Sequence, residues 1–388
     1  MATGTTTTSQ FTVTPQVLLE AVREGMQGMT VLGGLGIITV NGSLPTGDGR
    51  YAGETVTVPY LQHIGEWGEY SENAEIDITQ MADSNETAAV ARAGKAFTVT
   101  DMARILRGYA NPMEAGRAMI QEGLATYVER KAITALGALG TSIPAIVYDV
   151  HSDSAPRFLD RDVYIAVRSR FGDETRGIVG TVCHSQVINR MLTLKNADGE
   201  PLHRLLEQDD ERGVYTFEGM GRFYASDLMP VAYTVTSAGT TPPVLTVTGS
   251  PKGMYDQIKV QCTTLGAFAT AVIKISLDGG TTYPITGVTV PASGIVDRTS
   301  DLGLTFTFAS GTFAVNNSYT MWGKATVALC KRGAGVFWHN NLGPGAESMR
   351  DVRRKNEVVA ADVLAVTHIY KKMGGGTRPG VALGKVNI

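Results

Sequence analysis

Apolar and polar residues alternate with period two in several short stretches, which is the pattern of strands that bury one face. Thr55–Leu61 alternates in this way near the start of the chain. Three later segments repeat the pattern, with apolar residues at Ile258, Val260 and Cys262, at Ile273, Ile275 and Leu277, and at Leu304, Phe306 and Phe308. Asp278-Gly279-Gly280 between them is typical of a hairpin turn. The short strands and regular turns predict a small immunoglobulin-like β-sandwich over 232–323.

Helical periodicity is clearest after Asn111. Asn111 is a suitable N-cap, Pro112 takes the first helical position, and Glu114 takes the third, as in a capping box. One apolar stripe follows, formed by Ile120, Leu124, Tyr127, Val128, Ala132 and Leu136. We predict a long helix that ends at Gly137 or Gly140. An earlier helix is predicted to begin at Pro15.

Residues 146–231 contain both the period-two pattern of strands and the periodicity of helices. A helix is predicted after Asp160, and Ile178–Cys183 reads as a buried strand. Ser185 is predicted to cap a helix that runs to Leu192. This region is therefore an α+β domain.

The composition changes abruptly at about residue 232. Residues 232–323 contain eight charged residues and eighteen threonines. After Gly323 the earlier character returns, with Ala325, Val327 and Leu329. The β module is therefore predicted to be an insertion into a loop of the α+β domain.

A run of acidic residues lies between Tyr51 and Ala91, which contains no Lys or Arg. Its eight carboxylates are Glu54, Glu66, Glu69, Glu72, Glu75, Asp77, Asp83 and Glu86. Like charges repel, and the run has too few apolar residues to offset the entropy of ordering it. We expect it to be an extended arm that is held by another copy of the same chain.

Basic residues lie elsewhere, and the simplest interpretation is ordinary solvated surface. A sharper hypothesis is that some of them receive the acidic arm of a neighbouring subunit. Such exposed pairs contribute orientation more than affinity. The candidates are Arg104, Arg107, Arg117, Arg130, Arg353 and Arg354.

Overall composition excludes several classes of protein. The net charge of −3 argues against direct nucleic-acid binding through bulk charge. The three cysteines are far apart and fit buried fillers better than a disulfide framework or a zinc site. No secretory signal and no membrane-spanning segment is recognised. We expect a soluble protein that is made in the cytoplasm.

No residue pattern indicates catalysis, a cofactor or a metal. Cys183-His184-Ser185 lacks the glycines of a nucleophile elbow, so Ser185 is better explained as a helix cap. The six histidines have no metal-ligand spacing. Ala93-Gly94-Lys95-Ala96 lacks the residues of a phosphate-binding loop, and the acidic run lacks EF-hand spacing. We therefore predict no catalytic, cofactor-binding or metal site.

The order of these parts resembles the tailed-phage major capsid proteins of the Hong Kong 97-like fold. The acidic hairpin resembles the E-loop of that family, and NPMEAGRAMIQEGLATYVERKAITAL resembles its spine helix. VCHSQVINRML, GRFYASDLMPV, MWGKATVALCKRGAGVFW and AVTHIYKKM are similar to later family segments. The inserted module resembles β-sandwich additions of phage structural proteins.

The resemblance implies a division of the chain into seven parts. These are an N-terminal arm and helix (1–47), the E-loop hairpin (48–97), a peripheral domain with the spine helix (98–145), the first part of an axial domain (146–231), the inserted immunoglobulin-like sandwich (232–323), the second part of the axial domain (324–356), and a return strand of the peripheral domain with a C-terminal tail (357–388). Inter-subunit contacts of the E-loop are assigned to Glu66, Glu69, Glu72, Glu75 and Asp77.

The implied function is a non-enzymatic shell subunit that forms hexameric and pentameric capsomers of an icosahedral head around double-stranded DNA. Implied partners are other copies, portal and scaffolding proteins, and packaged DNA bound without sequence specificity. The resemblance also allows a decoration protein, and it implies no membrane partner. The expected location is the virion capsid, assembled in the cytoplasm of a bacterial host. The alternatives are an encapsulin-like compartment shell and a phage tail or surface adhesin.

Overall fold

The computed structural model describes residues 31–41, 55–61, 83–100, 112–152, 155–209, 213–340, 347–351, 356–371 and 379–388. The helix predicted at Pro15 lies outside these ranges. The described helices are α1 (Val31–Gly34), α2 (Pro112–Ser142), α3 (Arg161–Arg168) and α4 (Ser185–Thr193), with two 3₁₀ turns at Pro144–Ile146 and Ser169–Phe171. The chain has an α+β fold.

The described residues contain twenty-three strands. They are β1 (Ile38–Asn41), β2 (Thr55–Leu61), β3 (Asp83–Ala89), β4 (Ala91–Thr100), β5 (Val147–Asp149), β6 (Ile178–Cys183), β7 (Leu205–Asp209), β8 (Val214–Phe217), β9 (Gly221–Ala225), β10 (Val231–Tyr233), β11 (Thr236–Ala238), β12 (Leu245–Gly249), β13 (Ile258–Thr264), β14 (Val272–Ser276), β15 (Ile285–Thr289), β16 (Ile295–Arg298), β17 (Leu304–Phe308), β18 (Ser318–Met321), β19 (Gly323–Lys331), β20 (Gly335–Asn340), β21 (Glu347–Asp351), β22 (Asn356–Ile369) and β23 (Val381–Asn387).

One compact unit comprises residues 1–135 and 332–380. Its five-stranded sheet is built around β22, which pairs with β4 along one edge and with β20 and β21 along the other. β1 adds to β20 in parallel. Residues 335–340 and 347–351 therefore belong to this sheet, and their predicted grouping with residues 146–231 in one axial domain is wrong. The sheet to which these strands belong is set by pairing between residues far apart in sequence, and the local pattern of residues does not predict such pairing.

Helix α2 begins at Pro112 as predicted but continues through both candidate stop glycines to Ser142. Val128, Ala132 and Leu136 of the predicted stripe are buried, and so is Ile133 beside it. A β-carbon at Gly140 would lie 3.0 Å from Leu383 and at Gly137 3.7 Å from Pro230. Both glycines therefore lie within the helix rather than at its end, and Gly140 is a close-packing position.

A second compact unit comprises residues 136–331 and 381–388. Its eight-stranded sheet has the order β5-β23-β19-β6-β9-β8-β7, and β10 also pairs with β19. Helix α3 begins after Asp160, whose carboxylate accepts a hydrogen bond from the Val163 N–H at 2.7 Å. The helix predicted after Asp160 is thus confirmed. Residues of α3, α4 and the sheet share one core, which includes Val163, Val167, Val187, Ile188, Phe217 and Phe223.

The C-terminal residues form a strand of this sheet, so their prediction as a tail is wrong. β23 lies between β5 and β19 and is buried along nearly its whole length. Val381, Leu383 and Val386 are apolar enough for a central strand. The preceding glycine-rich segment obscured this short signal, because a run of seven residues between loops carries little periodicity.

The inserted module is a β-sandwich, as predicted. Five strands form one sheet in the order β11-β18-β13-β14-β15, and three form the other in the order β12-β17-β16. The apolar positions of the three alternating segments enter one shared core, with Ile258, Val260, Cys262, Ile273, Ile275, Leu304, Phe306 and Phe308 buried. Asp278 lies in the turn between β14 and β15, as predicted.

Candidate functional site

The base of the acidic hairpin is an antiparallel ribbon of β2 and β3. The pairing runs from Thr55 opposite Ala89 to Leu61 opposite Asp83. Side chains alternate across the ribbon, so that Val56 and Ala88 are buried whereas Thr55 and Thr87 are exposed. The buried face packs into one cluster with Val336, Trp338 and Val366 of the five-stranded sheet. The ribbon is therefore attached to its own chain.

Glu86 lies on the buried face of this ribbon and is only 7% exposed. Its Oε2 accepts a hydrogen bond from Nε2 of His368 at 2.8 Å and another from the Lys371 backbone N–H at 3.2 Å. Burial alone would raise the pKa of Glu86. The hydrogen bonds and the charges of His368 and Lys371 outweigh burial and lower its pKa below the ordinary value.

The prediction that the whole acidic run is a self-repelling arm is therefore wrong for Glu86. This carboxylate is paired inside its own chain and is not available to a neighbour. A local signal existed: Glu86 and Ala88 are two residues apart on one strand face, and so are Val366 and His368. Charge counting missed this alternation.

The predicted contact residues of the arm lie outside the described residues. Leu61 and Asp83 are the ends between which this segment runs. The segment contains Glu66, Glu69, Glu72, Glu75 and Asp77.

The structure brings together none of the predicted basic counterparts within its described ranges. Arg104, Arg107, Arg353 and Arg354 lie outside the described residues, and so does the side chain of Arg117. Arg130 is exposed on helix α2. Its contact with an acidic arm stays a prediction.

The turn at Cys183-His184-Ser185 connects strand β6 to helix α4. His184, not Ser185, is the N-cap of α4, since its Nδ1 accepts a hydrogen bond from the Gln186 N–H at 3.1 Å. Ser185 takes the first helical position, and its hydroxyl donates to the Asp227 carboxylate. The prediction of Ser185 as the cap is wrong, because the His184 imidazole and not the Ser185 hydroxyl accepts a hydrogen bond from a free N–H of the first turn.

The hydrogen bonds of His184 also define its tautomer. Because Nδ1 accepts a hydrogen bond, Nε2 carries the proton and donates to Oγ of Ser250 at 2.7 Å. A base for a nucleophilic serine must present an unprotonated nitrogen to the hydroxyl. Burial lowers the pKa of His184, and the charge of Asp227 only partly offsets this. The pair is therefore a neutral contact and not a catalytic dyad.

Arg190 of helix α4 joins the α+β part to the sandwich. Its Nη2 donates to the carbonyl oxygen of Tyr255 at 3.1 Å and lies 2.9 Å from the Asp256 carboxylate. The guanidinium also stacks 4.7 Å from the centre of the Phe158 ring, and that ring packs edge-on against Trp322. The charge pattern of the sequence did not indicate Arg190, because its hydrogen-bond and ion-pair partners, Tyr255 and Asp256, lie more than sixty residues away.

The two chain connections reinforce this attachment. β10 pairs with β19, and β11 pairs with β18, on either side of short links at residues 234–235 and at Trp322. The sandwich is thus joined by two successive antiparallel strand pairs and by the Arg190 and His184 contacts. Its orientation on the α+β part is defined by all of them together.

The three cysteines are free and buried, which confirms their prediction as core fillers. Burial raises the pKa of Cys330 to about 12 and also raises that of Cys183, so neither is a reactive thiolate. Within the described ranges, His, Cys, Asp and Glu side chains form no group of three that could hold a metal ion. Among the described helices, none combines the length and apolar character needed to cross a membrane.

No protein-family model and no curated protein sequence matches the chain. Solved structures do match. The capsid of Ralstonia phage GP4 has a TM-score of 0.50 and 9% identity, with 90% of this chain and 87% of that chain covered. The capsid of an empty GTA particle has a TM-score of 0.44 at 11% identity, covering 93% and 90%. The holo-SrpI encapsulin complex of Synechococcus elongatus PCC 7942 has 0.45 at 10% identity, covering 90% and 85%. The first likeness shows that this chain has a phage-capsid fold.

Proposed function

We propose that this chain, which has the fold of a phage capsid protein, is the major shell subunit of a phage head. The observation that carries the proposal is the likeness to the Ralstonia phage capsid over 90% of the chain. In this proposal the chain assembles into hexamers and pentamers of an icosahedral shell that encloses double-stranded DNA. Its role is structural and not enzymatic.

The hairpin at 48–97 is proposed to be the E-loop that reaches a neighbouring subunit. Its base is held by the chain's own sheet through Val56, Ala88 and the Glu86–His368 contact. Such an anchored base supports a projecting segment, because force on the segment is transmitted to a packed sheet. The five carboxylates between Leu61 and Asp83 are proposed to make the inter-subunit contacts, and basic side chains such as Arg353 and Arg354 are their proposed counterparts.

The sandwich at 232–323 is proposed to be immunoglobulin-like. In variable-type domains of that fold, strands B, E and D form one sheet and F, C, C′ and C″ lie in the other. The orders β12-β17-β16 and β18-β13-β14-β15 correspond to these sets. Within 213–340, which is described throughout, β11 takes the edge beside β18 where that fold has strand G. This topology supports the proposal.

Assembly of the purified full-length chain tests the function. We expect closed shells in negative-stain images and in light scattering. Nucleic-acid absorbance of particles from the native source distinguishes a phage head from an encapsulin-like compartment. Soluble monomers under all conditions, with and without a co-expressed scaffolding protein, would refute the shell function.

Charge reversal tests the E-loop contact separately. Glu69→Lys, Glu72→Lys and Glu75→Lys together should leave the monomer folded but impair shell formation. The compensating variant adds Arg353→Glu and Arg354→Glu, and it should recover assembly if these two residues receive the carboxylates. Shells at normal yield from the first variant would refute the charge contact while leaving the shell function intact.

A further inference from the structure

One end of the sandwich carries no charge. Four segments form this end, which we name the tip: residues 239–244, 265–271, 290–295 and 309–317. They contain no Asp, Glu, Lys, Arg or His. The opposite end contains Lys252, Asp256, Asp278 and Asp301 in its loops. Charge is thus absent from one end only.

The tip lies at the end that is remote from the attachment of the sandwich. β12 starts at the tip with Leu245 and ends beside Ser250, which receives the hydrogen bond from His184. β13 starts next to Asp256, which is paired with Arg190, and ends at Thr264 before the tip. The attached end and the tip are therefore separated by the length of the strands.

The tip exposes large apolar side chains. Val244 is 69% exposed and Leu265 is 62% exposed, and these are the two highest values among the large apolar side chains of the described residues. Val315 at 52% and Ile295 at 45% lie in the other two segments. Each segment of the tip thus contributes one exposed aliphatic side chain.

The four segments are tied into one preformed surface. Backbone hydrogen bonds connect each of them to another, and the buried Phe313 ring packs edge-on against Phe308 beneath them. The connecting pairs are Gly266 with Phe313, Ala309 with Val244, Phe308 with Gly294, and Ala269 with Val290. A preformed surface loses little conformational entropy on binding.

We propose that the tip binds the tip of a second copy of this chain within the shell. The proposal rests on the proposed shell function, which places many identical copies at fixed spacing. Two such tips meet without like-charge repulsion and without burying an unpaired charge. Contact removes the exposed aliphatic side chains of both tips from water, which is favourable. The contacts of Arg190 and His184 hold the sandwich, and with it the tip, on the α+β part of each copy.

Chemistry disfavours other occupants. A nucleic acid needs Lys or Arg to neutralise its phosphates, and the tip has none. An anionic membrane surface is bound through basic residues as well as apolar ones. A charged protein surface would have to bury its charges against a surface that offers no counter-charge. Among the described residues, the tip of another copy offers a surface of matching character, uncharged and with exposed aliphatic side chains.

Cross-linking through one introduced surface cysteine tests the contact, because the native Cys183, Cys262 and Cys330 are buried. Val244→Cys and Val315→Cys place a thiol at the tip. Met254→Cys is the matched control, since Met254 is 44% exposed at the attached end. Assembled full-length protein is treated with a short bismaleimide. Both tip variants should give about tenfold or more covalent dimer than the control, because contact fixes a high effective concentration.

A second substitution distinguishes cross-linking at a specific contact from cross-linking through random collisions. Adding Leu265→Lys to Val244→Cys should reduce the dimer to the level of Met254→Cys. Tip cysteines that give no more dimer than the control, and that react fully with a monofunctional maleimide in intact shells, would overturn the proposal and leave the shell function standing. If no shells form, the soluble chains are compared at raised concentration. Dimer from the tip variants alone then supports the contact, and its absence overturns it.

Discussion

Glu86 and His368 form a buried contact between two strands that lie 282 residues apart in the chain, with Oε2 and Nε2 separated by 2.8 Å. One member belongs to the acidic hairpin and the other to the strand at the centre of the five-stranded sheet. The contact makes the base of the hairpin part of the folded unit. In the proposed shell, it defines where the packed subunit ends and the intersubunit segment begins.

Truncating Glu86 should destabilise the unit that contains the hairpin. Glu86→Ala leaves His368 and the Lys371 N–H without their acceptor, and losing hydrogen bonds to a charged group costs about 1.5–3 kcal/mol. Urea unfolding measures the loss. Glu122→Ala is the control, since Glu122 is exposed on helix α2 and should change stability by less than about 0.5 kcal/mol. Equal effects of the two substitutions would contradict the anchoring role of Glu86.

The same contact should make stability fall in acid. The folded-state pKa of Glu86 lies below its ordinary value of 4.5, so the ionised form stabilises the fold above that pH. This contribution declines as the pH falls from 4.5 through the lower folded-state pKa. Urea midpoints measured between about pH 6 and pH 3 should drop less steeply for Glu86→Gln than for the unmodified chain. Parallel curves would argue against the lowered pKa.

His184 should add a pH dependence nearer neutrality. Burial lowers the folded-state pKa of His184 below 6.5, so the unfolded chain takes up a proton first as the pH falls. Stability is complete above 6.5 and declines as the pH falls through that value. Burial lowers the pKa of His203 as well, and it acts in the same direction. Thermal unfolding should lose part of this slope in His184→Gln or His203→Gln and most of it in the double variant, whereas an unchanged slope in the double variant would exclude both.

Arg190 should control how firmly the sandwich is attached. Arg190→Ala removes the Asp256 ion pair, the hydrogen bond to Tyr255 and the stacking on Phe158. Hydrogen exchange of residues 250–257 should accelerate, while the core strands β13, β14 and β17 stay protected. Arg190→Lys should restore little, because an ammonium lacks the planar fork that makes these contacts together.

The control for Arg190 is Arg204→Ala. Arg204 is largely exposed, and its Nη1 lies 4.0 Å from the Glu218 carboxylate. An exposed pair of this kind contributes about 0–1 kcal/mol, so exchange should not change. Acceleration spread over the whole sandwich in Arg190→Ala would indicate general destabilisation instead of loosened attachment.

Alanine substitutions at Gly303 and Gly287 distinguish the cost of backbone strain from the cost of a steric clash. Both have positive φ, at +76° and +71°, but a β-carbon at Gly303 would lie 2.0 Å from the Ser250 carbonyl oxygen, whereas Gly287 has open space. Gly287→Ala should cost about 1–2 kcal/mol from the backbone alone. Gly303→Ala should cost about 1–3 kcal/mol more because Ser250 must move. Thermal unfolding measures both, and equal losses would show that the close approach has no energetic weight.

Local pattern was sufficient where neighbours in sequence are also neighbours in space. The helix that follows Asp160, the start of α2 at Pro112 and the alternating faces of β13, β14 and β17 were all predicted from residues that are close in sequence. The alternation of apolar residues in the module predicted a sandwich, because each sheet has one apolar face that must be buried and the two sheets bury these faces against each other. These elements needed no knowledge of distant partners.

Contacts between distant segments explain why Glu86 is buried, why α2 continues through Gly140 and why β23 lies within a sheet. Glu86 depends on His368, Gly140 on the close approach of Leu383, and β23 on its pairing with β5 and β19. Alternation and helix starts within separate elements can be predicted from neighbouring residues alone. Pairing between distant segments set their burial and charge environment, because burial is a property of whatever the fold brings within contact distance and is not written in the spacing of neighbouring residues.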